Sequence, residues 1–434
     1  MKRHSMFQII LLGVFGSLAV AGVLIFAFAV GGNKSGAGVG KVVIWGTLDQ
    51  NAFNVVLDEA SQADQGLLQV SYVRKEAASF EQDLSDALAQ KTGPDLFILS
   101  SDYAVKDEPK VLSIPYDQLT KVTFQSVFAE SANVYLGPEG VVAIPFAIDP
   151  LVLYWNRDIL AGAGYAEPPK YWDDVQQMAS QITVRDISGG ITRSAIALGT
   201  YRNVGNAKAD LAVLLMQKGV AITARDAEGK LLSALSPRGT GGTTQPAVEA
   251  LTFYTGFADP SQNYYSWNGA IQDARAAFAA GDAAIYVGYA SEAIRIASMN
   301  PNLNFAMADI PQFRDAPRIS TFGRVYAFAV PRVAVNQQGA FIAAQLLGTS
   351  STTAAFAKAL GIASARRDTL GQSAPGYGTL INRMAIITRT WADPDPEQTG
   401  DLFRAMIESA VSGAASLSQA VQQGDAQMQH IIGQ

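Results

Sequence analysis

The sequence contains few side chains of the kinds that nucleophilic catalysis and metal binding require. It has no cysteine and only two histidines, His4 and His430, one near each end. A cysteine nucleophile, a disulfide, a zinc–thiolate centre and lipidation on cysteine are therefore excluded. An imidazole base is available only near the termini. We predict that the protein is not an enzyme and needs no cofactor. A hydrolase that uses two carboxylates remains the enzymatic alternative.

Three carboxylates alternate with prolines at Asp393, Asp395 and Glu397, a spacing that could suggest a calcium loop. An EF-hand loop has glycine at its sixth position and glutamate at its twelfth. Here those positions hold Gln398 and Arg404. We therefore predict an acidic loop ahead of a helix, and no metal site.

The charge balance of the chain is acidic. It has 32 basic against 38 acidic residues, a net charge of −6 at pH 7. Without the N-terminal Lys2 and Arg3, 30 basic residues remain and the net charge is about −8. An acidic exterior repels phosphate backbones, and no dense lysine or arginine stripe is present. We predict that the protein does not bind nucleic acid.

Aromatic rings near strand ends and in loops are candidates for platforms on which a ligand packs. Trp45 ends an apolar run and precedes a glycine, and binding sites cluster at such strand ends. Trp267 lies in a loop, where a core position is less expected. For every ring, the alternative is a half-buried aromatic in the core or at a lobe interface. The predicted platforms are Trp45, Tyr154, Trp267, Tyr286 and Tyr289, with Gly288 allowing close approach.

Polar side chains in turns could hydrogen-bond the same ligand. An aspartate accepts bonds from hydroxyl groups, and an arginine guanidinium donates two parallel bonds. The alternatives are that the aspartates cap helices or turns, and that the arginines form surface ion pairs. The predicted polar contacts are Asp49, Ser101, Asp102, Asp149, Arg324 and Arg367.

Strands and helices alternate in the region that carries the first of these residues. Residues 42–45, 68–73 and 95–99 are short apolar runs typical of strands. Apolar residues at helical spacing cover 52–63 and 80–91. This order indicates a parallel α/β sheet with wound connections. Ligands of such sheets bind beyond the carboxyl ends of the strands, where the candidate residues of this region stand.

A second region predicts a passage between two lobes. Residues 141–146 and 151–155 are typical of two strands, and the Asp149–Pro150 step between them suggests a bend. We therefore expect the chain to cross from one lobe to the other at this point.

The N-terminal segment predicts export. Basic residues precede an apolar run over residues 7–30. About 20 apolar residues cross a hydrocarbon core of roughly 30 Å, and the leading positive charges keep the N-terminus inside. A cleavable signal peptide, cut after Ala27-Phe28-Ala29, is the alternative. We predict a cytoplasmic tail (1–6), a transmembrane anchor or signal segment (7–30) and a flexible Gly-rich linker (31–40).

Four segments occur in an order that resembles the family 1 extracellular solute-binding proteins, the maltose-binding-like group. Residues 144–156, IPFAIDPLVLYWN, resemble the strand of that family that crosses between its lobes. The segments GPDLF at 93–97, YWDD at 171–174 and FAAGDAAIYVG at 278–288 resemble three other motifs of that family. Together they span about residues 41–390, nearly the whole exported region.

The resemblance implies a two-lobed α/β fold of the periplasmic-binding-protein type (type II) that closes on its ligand like a clamp. It implies a first lobe of residues 41–148 and 288–326, and a second lobe of residues 149–287 and 327–434. Many bacterial members carry a lipid-modified cysteine, which is absent here. A transmembrane helix would provide the same tether.

The resemblance also implies the function. We expect a monomeric substrate-binding component of an ABC importer, anchored at the cell membrane with its binding domain outside, or secreted after cleavage. It would capture a small solute, a sugar or oligosaccharide by preference, and deliver it to permease subunits. An anchored extracellular sensor or adhesion protein with the same clamp is the alternative, and an exported glycosidase is a more remote one.

Overall fold

The structure is a computed structural model that describes residues 39–236 and 245–434. The predicted tail, the apolar segment 7–30 and all but the last two residues of the linker lie outside the described residues. Within the described part of the chain, no helix is both long enough and apolar enough to cross a bilayer.

Strands of two to thirteen residues alternate with helices throughout the described residues. The strands are β1 (Val42–Gly46), β2 (Val70–Arg74), β3 (Leu96–Ser100), β4 (Ile114–Pro115), β5 (Gly140–Val141), β6 (Ile144–Asn156), β7 (Val184–Arg185), β8 (Ile191–Ile196), β9 (Ile222–Arg225), β10 (Leu231–Ala234), β11 (Ala283–Tyr289), β12 (Phe305–Ala308), β13 (Thr321–Ala329), β14 (Ala363–Ser364) and β15 (Thr388–Arg389). The helices are α1 (Gln50–Ala63), α2 (Phe80–Ala89), α3 (Lys121–Val127), α4 (Arg157–Gly162), α5 (Trp172–Ile182), α6 (Ala207–Gln217), α7 (Pro246–Gly256), α8 (Ala274–Ala280), α9 (Glu292–Met299), α10 (Gln337–Leu347), α11 (Ser350–Leu360), α12 (Arg367–Leu370), α13 (Gly378–Ile387), α14 (Pro396–Val411) and α15 (Leu417–Ile432).

A continuous sheet of order β2-β1-β3-β13-β6-β11-β8-β7 connects the two lobes. In the first lobe β1, β2 and β3 are parallel, as the strand–helix alternation predicts. In the second lobe β8 and β11 are parallel. Strands β6 and β13 are antiparallel to each other and belong to both lobes. The carboxyl ends of the parallel strands in each lobe face the cleft between them.

An aromatic cluster holds the helices of the first lobe on its sheet. Phe53 of α1 stacks on Tyr72 with ring centroids 4.0 Å apart, and Phe146 stacks on Phe328 at 4.4 Å. The ring of Phe356 on α11 contacts Phe53 and Phe146. Large rings of this kind supply much of the buried apolar area of a core. These rings therefore pack α1 and α11 against the sheet whose strands enter the cleft.

Strand β6 runs without interruption from the first lobe into the second. Its first half pairs with β13, up to Pro150 opposite Gly323, and its second half pairs with β11, beginning at Leu151 opposite Tyr289. The prediction of two strands separated by a bend is wrong. Pro150 is tolerated because the strand exchanges one partner for another at this point, where a missing N–H breaks no ladder.

The strand pairing divides the later part of the chain differently from the predicted lobes. Helix α9 and strand β12, within residues 288–326, belong to the second lobe, since β12 pairs with the second half of β6. Helices α10 and α11, within residues 327–434, pack on the first lobe, while α14 and α15 return to the second. The two predicted boundaries after residue 287 are therefore wrong. The chain crosses back at β13, not directly after β11.

Candidate functional site

A buried carboxylate lies where the strands cross between the lobes. Asp149 is only 2% exposed, and its carboxylate accepts bonds from the Ser291 amide (3.0 Å) and the Ser291 hydroxyl (2.6 Å). Burial raises the pKa of Asp149 to about 6, although the bonds from Ser291 and the nearby Arg324 oppose this shift. Asp149 lies at the crossing between the lobes, and its predicted contact with a ligand stays a prediction.

Arg324, next to this carboxylate, contacts residues of both lobes. It stands opposite Asp149 in the pairing of β6 with β13. Its Nε donates to Asp102 Oδ2 at 2.8 Å, and its guanidinium carbon lies 4.4 Å from the centre of the Tyr289 ring. The Arg324 side chain remains 42% exposed. We call Asp102, Asp149, Tyr289, Ser291 and Arg324 the base cluster.

Three residues that were predicted as ligand contacts lie next to the base cluster and hold the segments that carry it. Ser101 accepts a bond from the Val325 amide (3.0 Å), which fixes the loop that carries Asp102. The Tyr154 hydroxyl donates to the Tyr289 carbonyl (2.7 Å) from a fully buried position. A Cβ on Gly288 would lie 2.5 Å from the ring of Tyr286, so this glycine allows packing inside the second lobe.

Charged groups also meet across the mouth of the cleft. Lys106, in the loop after β3 of the first lobe, lies 3.2 Å from Asp395 and 3.6 Å from Glu397 of the second lobe. We call these three residues the rim contact. Lys106 is not among the residues predicted from the sequence, although the rule that sites lie at strand ends covers its loop.

A second lysine neutralises the remaining carboxylate of the acidic loop. Lys208 Nζ lies 2.6 Å from Asp393, whose pKa burial raises to about 6 in spite of this lysine. Asp395 caps α14 by accepting bonds from the amides of Glu397 and Gln398. Asp393 and Asp395 therefore precede the helix as predicted, whereas Glu397 already lies in its first turn. Among residues 39–236 and 245–434, no group of His, Asp and Glu side chains is placed to hold a metal ion.

Two predicted polar contacts lie away from the base cluster. Asp49 caps α1 by accepting a bond from the Ala52 amide at 2.8 Å. Arg367 donates from Nε to the carbonyls of Gln125 (2.9 Å) and Phe128 (2.7 Å), which ties two parts of the first lobe together. Asp49 follows the capping alternative that the sequence left open. Arg367 binds backbone carbonyls instead of the surface carboxylate that its alternative, an ion pair, would require.

The two predicted tryptophan platforms differ in burial. Trp267 is fully buried, and its Nε1 donates to Asn203 at 3.3 Å, so the expectation of an exposed loop aromatic is wrong. The surrounding second lobe covers the loop, which local composition does not reveal. Trp45 is partly buried, and the Lys75 ammonium lies 3.7 Å from the centre of its ring.

The geometry suits the recognition of a polar molecule between two lobes. Carboxylates, a partly exposed guanidinium and tyrosine rings converge at the base, and salt bridges link the lobes at the mouth. This is the architecture of a hinged ligand-binding protein.

Comparison with known proteins places the chain in a family. Residues 48–352 match the family described as bacterial extracellular solute-binding protein. The chain therefore belongs to this family of binding proteins, and the resemblance found in the sequence is confirmed. Family membership supports a binding role over the hydrolase alternative.

Individual relatives agree with this assignment. A maltotriose-binding protein of Pyrococcus abyssi is 29% identical over 142 residues, which are 32% of this chain and 30% of that protein. A cyclo/maltodextrin-binding protein complexed with maltotetraose has a TM-score of 0.71 at 16% identity, covering 92% of this chain and 99% of that one. The cyclic α-maltosyl-1,6-maltose-binding protein of Arthrobacter globiformis has a TM-score of 0.72 at 17% identity, covering 90% and 98%. These structural likenesses confirm the two-lobed fold.

Proposed function

We propose that the protein captures a maltodextrin-like oligosaccharide between its lobes and delivers it to the permease subunits of an ABC importer. The observation that carries this proposal is the base cluster, in which Arg324 connects Asp102 of the first lobe with Tyr289 of the second. A ligand that touches this cluster touches both lobes at once.

The chemistry of the base cluster suits a sugar. Sugar hydroxyls both donate and accept hydrogen bonds, so they can use carboxylate oxygens and guanidinium N–H groups together. Asp102 engages only Nε of Arg324, and the guanidinium has four further N–H groups. Tyr103, half-buried next to Asp102, offers a ring for the apolar face of a sugar. The maltodextrin preference rests on what the named relatives bind.

Closure of the lobes follows from the rim contact. Asp395 and Glu397 belong to the second lobe and Lys106 to the first, so their attraction favours the closed form. Ligand contacts to both lobes favour the same form, and binding shifts the population towards it. The closed form is the one that we expect to dock on permease subunits.

The place of action follows from the family and the N-terminus. The family is extracellular, and we propose that residues 7–30 tether the binding domain to the outer side of the cell membrane, unless they are cleaved.

Isothermal titration calorimetry with maltotriose tests the ligand. We expect a dissociation constant in the micromolar range or tighter, about −8 kcal/mol. Glycerol 3-phosphate and spermidine serve as non-sugar controls. Binding of either control in place of maltotriose would contradict the sugar assignment. A second experiment distinguishes import from sensing. Retention of the closed protein by its detergent-solubilised permease would support import.

A further inference from the structure

One carboxylate outside the base cluster holds four hydrogen bonds. Glu292 Oε1 accepts from Asn206 Nδ2 (2.8 Å) and from the Tyr289 amide (3.0 Å). Its Oε2 accepts from the Tyr286 hydroxyl (2.7 Å) and from Arg275 Nη1 (3.2 Å). The side chain is only 11% exposed. A carboxylate has about four lone-pair sites, so every site of Glu292 is occupied.

These four donors come from separate parts of the second lobe. Asn206 precedes α6, Arg275 lies on α8, Tyr286 on β11, and Tyr289 ends that strand. Glu292 therefore ties the ends of a strand and two helices to the first turn of α9. Glu292 is not among the residues predicted from the sequence, because no motif marks it and its partners are scattered along the chain.

The turn that Glu292 fixes carries the second-lobe half of the base cluster. Tyr289, whose amide it binds, supports the Arg324 guanidinium, and the neighbouring Ser291 binds Asp149. We propose that Glu292 is a positioning residue of the ligand site, which sets Tyr289 and Ser291 at the places where closure needs them. This inference rests on the proposed function for its binding readout.

Only an acceptor with four free lone pairs satisfies this arrangement. A glutamine at residue 292 presents an NH₂ group that must face one pair of donors. If the NH₂ group faces Asn206 and Tyr289, which donate to Oε1 in the wild type, the Tyr289 amide loses its acceptor. If it faces the other pair, the Tyr286 oxygen can accept, but Arg275 loses its partner.

The decisive variant is Glu292→Gln, with Glu249→Gln as its matched control. Glu249 is also in the second lobe and also pairs with a basic residue, Lys218 (3.1 Å), but on α7. We expect Glu292→Gln to raise the dissociation constant for maltotriose at least tenfold at a temperature where the protein is fully folded. The control should bind as the wild type does.

Hydrogen exchange provides a readout that needs no ligand. In Glu292→Gln, amides of residues 286–292 should exchange at least tenfold faster, while those of α6 and β8 keep their protection. If Glu292→Gln does not fold, Arg275→Met removes one donor and should give a smaller effect of the same kind, about threefold.

The outcomes separate the two proposals. Wild-type protein that fails to bind maltotriose contradicts the proposed function, and the exchange pattern then decides on Glu292 alone. Unchanged exchange of residues 286–292 in the folded variant, or an unchanged dissociation constant where the wild type binds, would overturn the positioning role. Uniformly faster exchange across the second lobe would overturn it as well, because that pattern reports general destabilisation.

Discussion

The base and the mouth of the cleft use similar side chains in contrasting environments. At the base, Asp149 is almost fully buried and accepts two hydrogen bonds, and Arg324 lies against Tyr289. At the mouth, the side chain of Lys106 is 27% exposed, that of Asp395 18% and that of Glu397 68%. Burial and two hydrogen bonds hold Asp149 in one geometry, whereas the pair of Lys106 with the largely exposed Glu397 is weak and exchanges with water. The base is thus suited to recognition, and the mouth to adjustable closure.

The largest expected effect concerns Asp149 at the base, which should make the free energy of unfolding depend on pH. Because burial raises the pKa of Asp149 from 3.8 to about 6, the folded state binds this proton more tightly than the unfolded state. Its contribution to stability is therefore greatest below about pH 4 and declines by about 3 kcal/mol as the pH rises through 6. Asp149→Asn keeps an acceptor for Ser291 but removes this decline.

Urea unfolding of both proteins between pH 4 and pH 7 measures this difference directly. Asp393, with its own pKa of about 6, titrates in both proteins and cancels in the comparison. Parallel stability profiles of wild type and variant would show that Asp149 is not held as a buried carboxylate.

The next largest effect should fall on ligand affinity at the base. Arg324→Met removes the guanidinium that joins the lobes, and we expect the dissociation constant for maltotriose to rise at least tenfold, about 1.4 kcal/mol. Arg367→Met is the matched control, since that guanidinium binds carbonyls within the first lobe. If calorimetry gave equal increases in the dissociation constant for both substitutions, Arg324 would have no special role in ligand binding.

The smallest effect belongs to the mouth. Lys106→Met should raise the dissociation constant about threefold, since exposed ion pairs contribute less than about 1 kcal/mol. It should also weaken the salt dependence of binding, because the rim contact is screened in the wild type. Lys170→Met, which removes an exposed pair within one lobe, is the control. A loss as large as that of Arg324→Met would mean that the mouth, not the base, dominates binding.

Local patterns predicted the strands of the first lobe better than they predicted the lobe boundaries. The apolar runs of β1 to β3 and the position of Asp149 follow from sequence because neighbouring residues determine them. The boundaries after residue 287 do not, since β12 returns to the second half of β6 before β13 crosses. Strand order over such distances is a tertiary property.

The same limit explains the mixed outcome for individual residues. Asp102 and Arg324, 222 positions apart, were each predicted from a turn, but their pairing was not. Trp267 has the composition of a surface loop around it and is nevertheless fully buried. Its burial depends on Asn203 and the surrounding lobe, which no local pattern encodes.

The most direct test of recognition at the base is a crystal structure of the protein with maltotriose bound. We predict sugar density between the lobes, with hydroxyl groups in hydrogen-bonding distance of Asp102 and Arg324. Maltotriose bound outside the cleft, or within it without contact to either residue, would contradict the central claim.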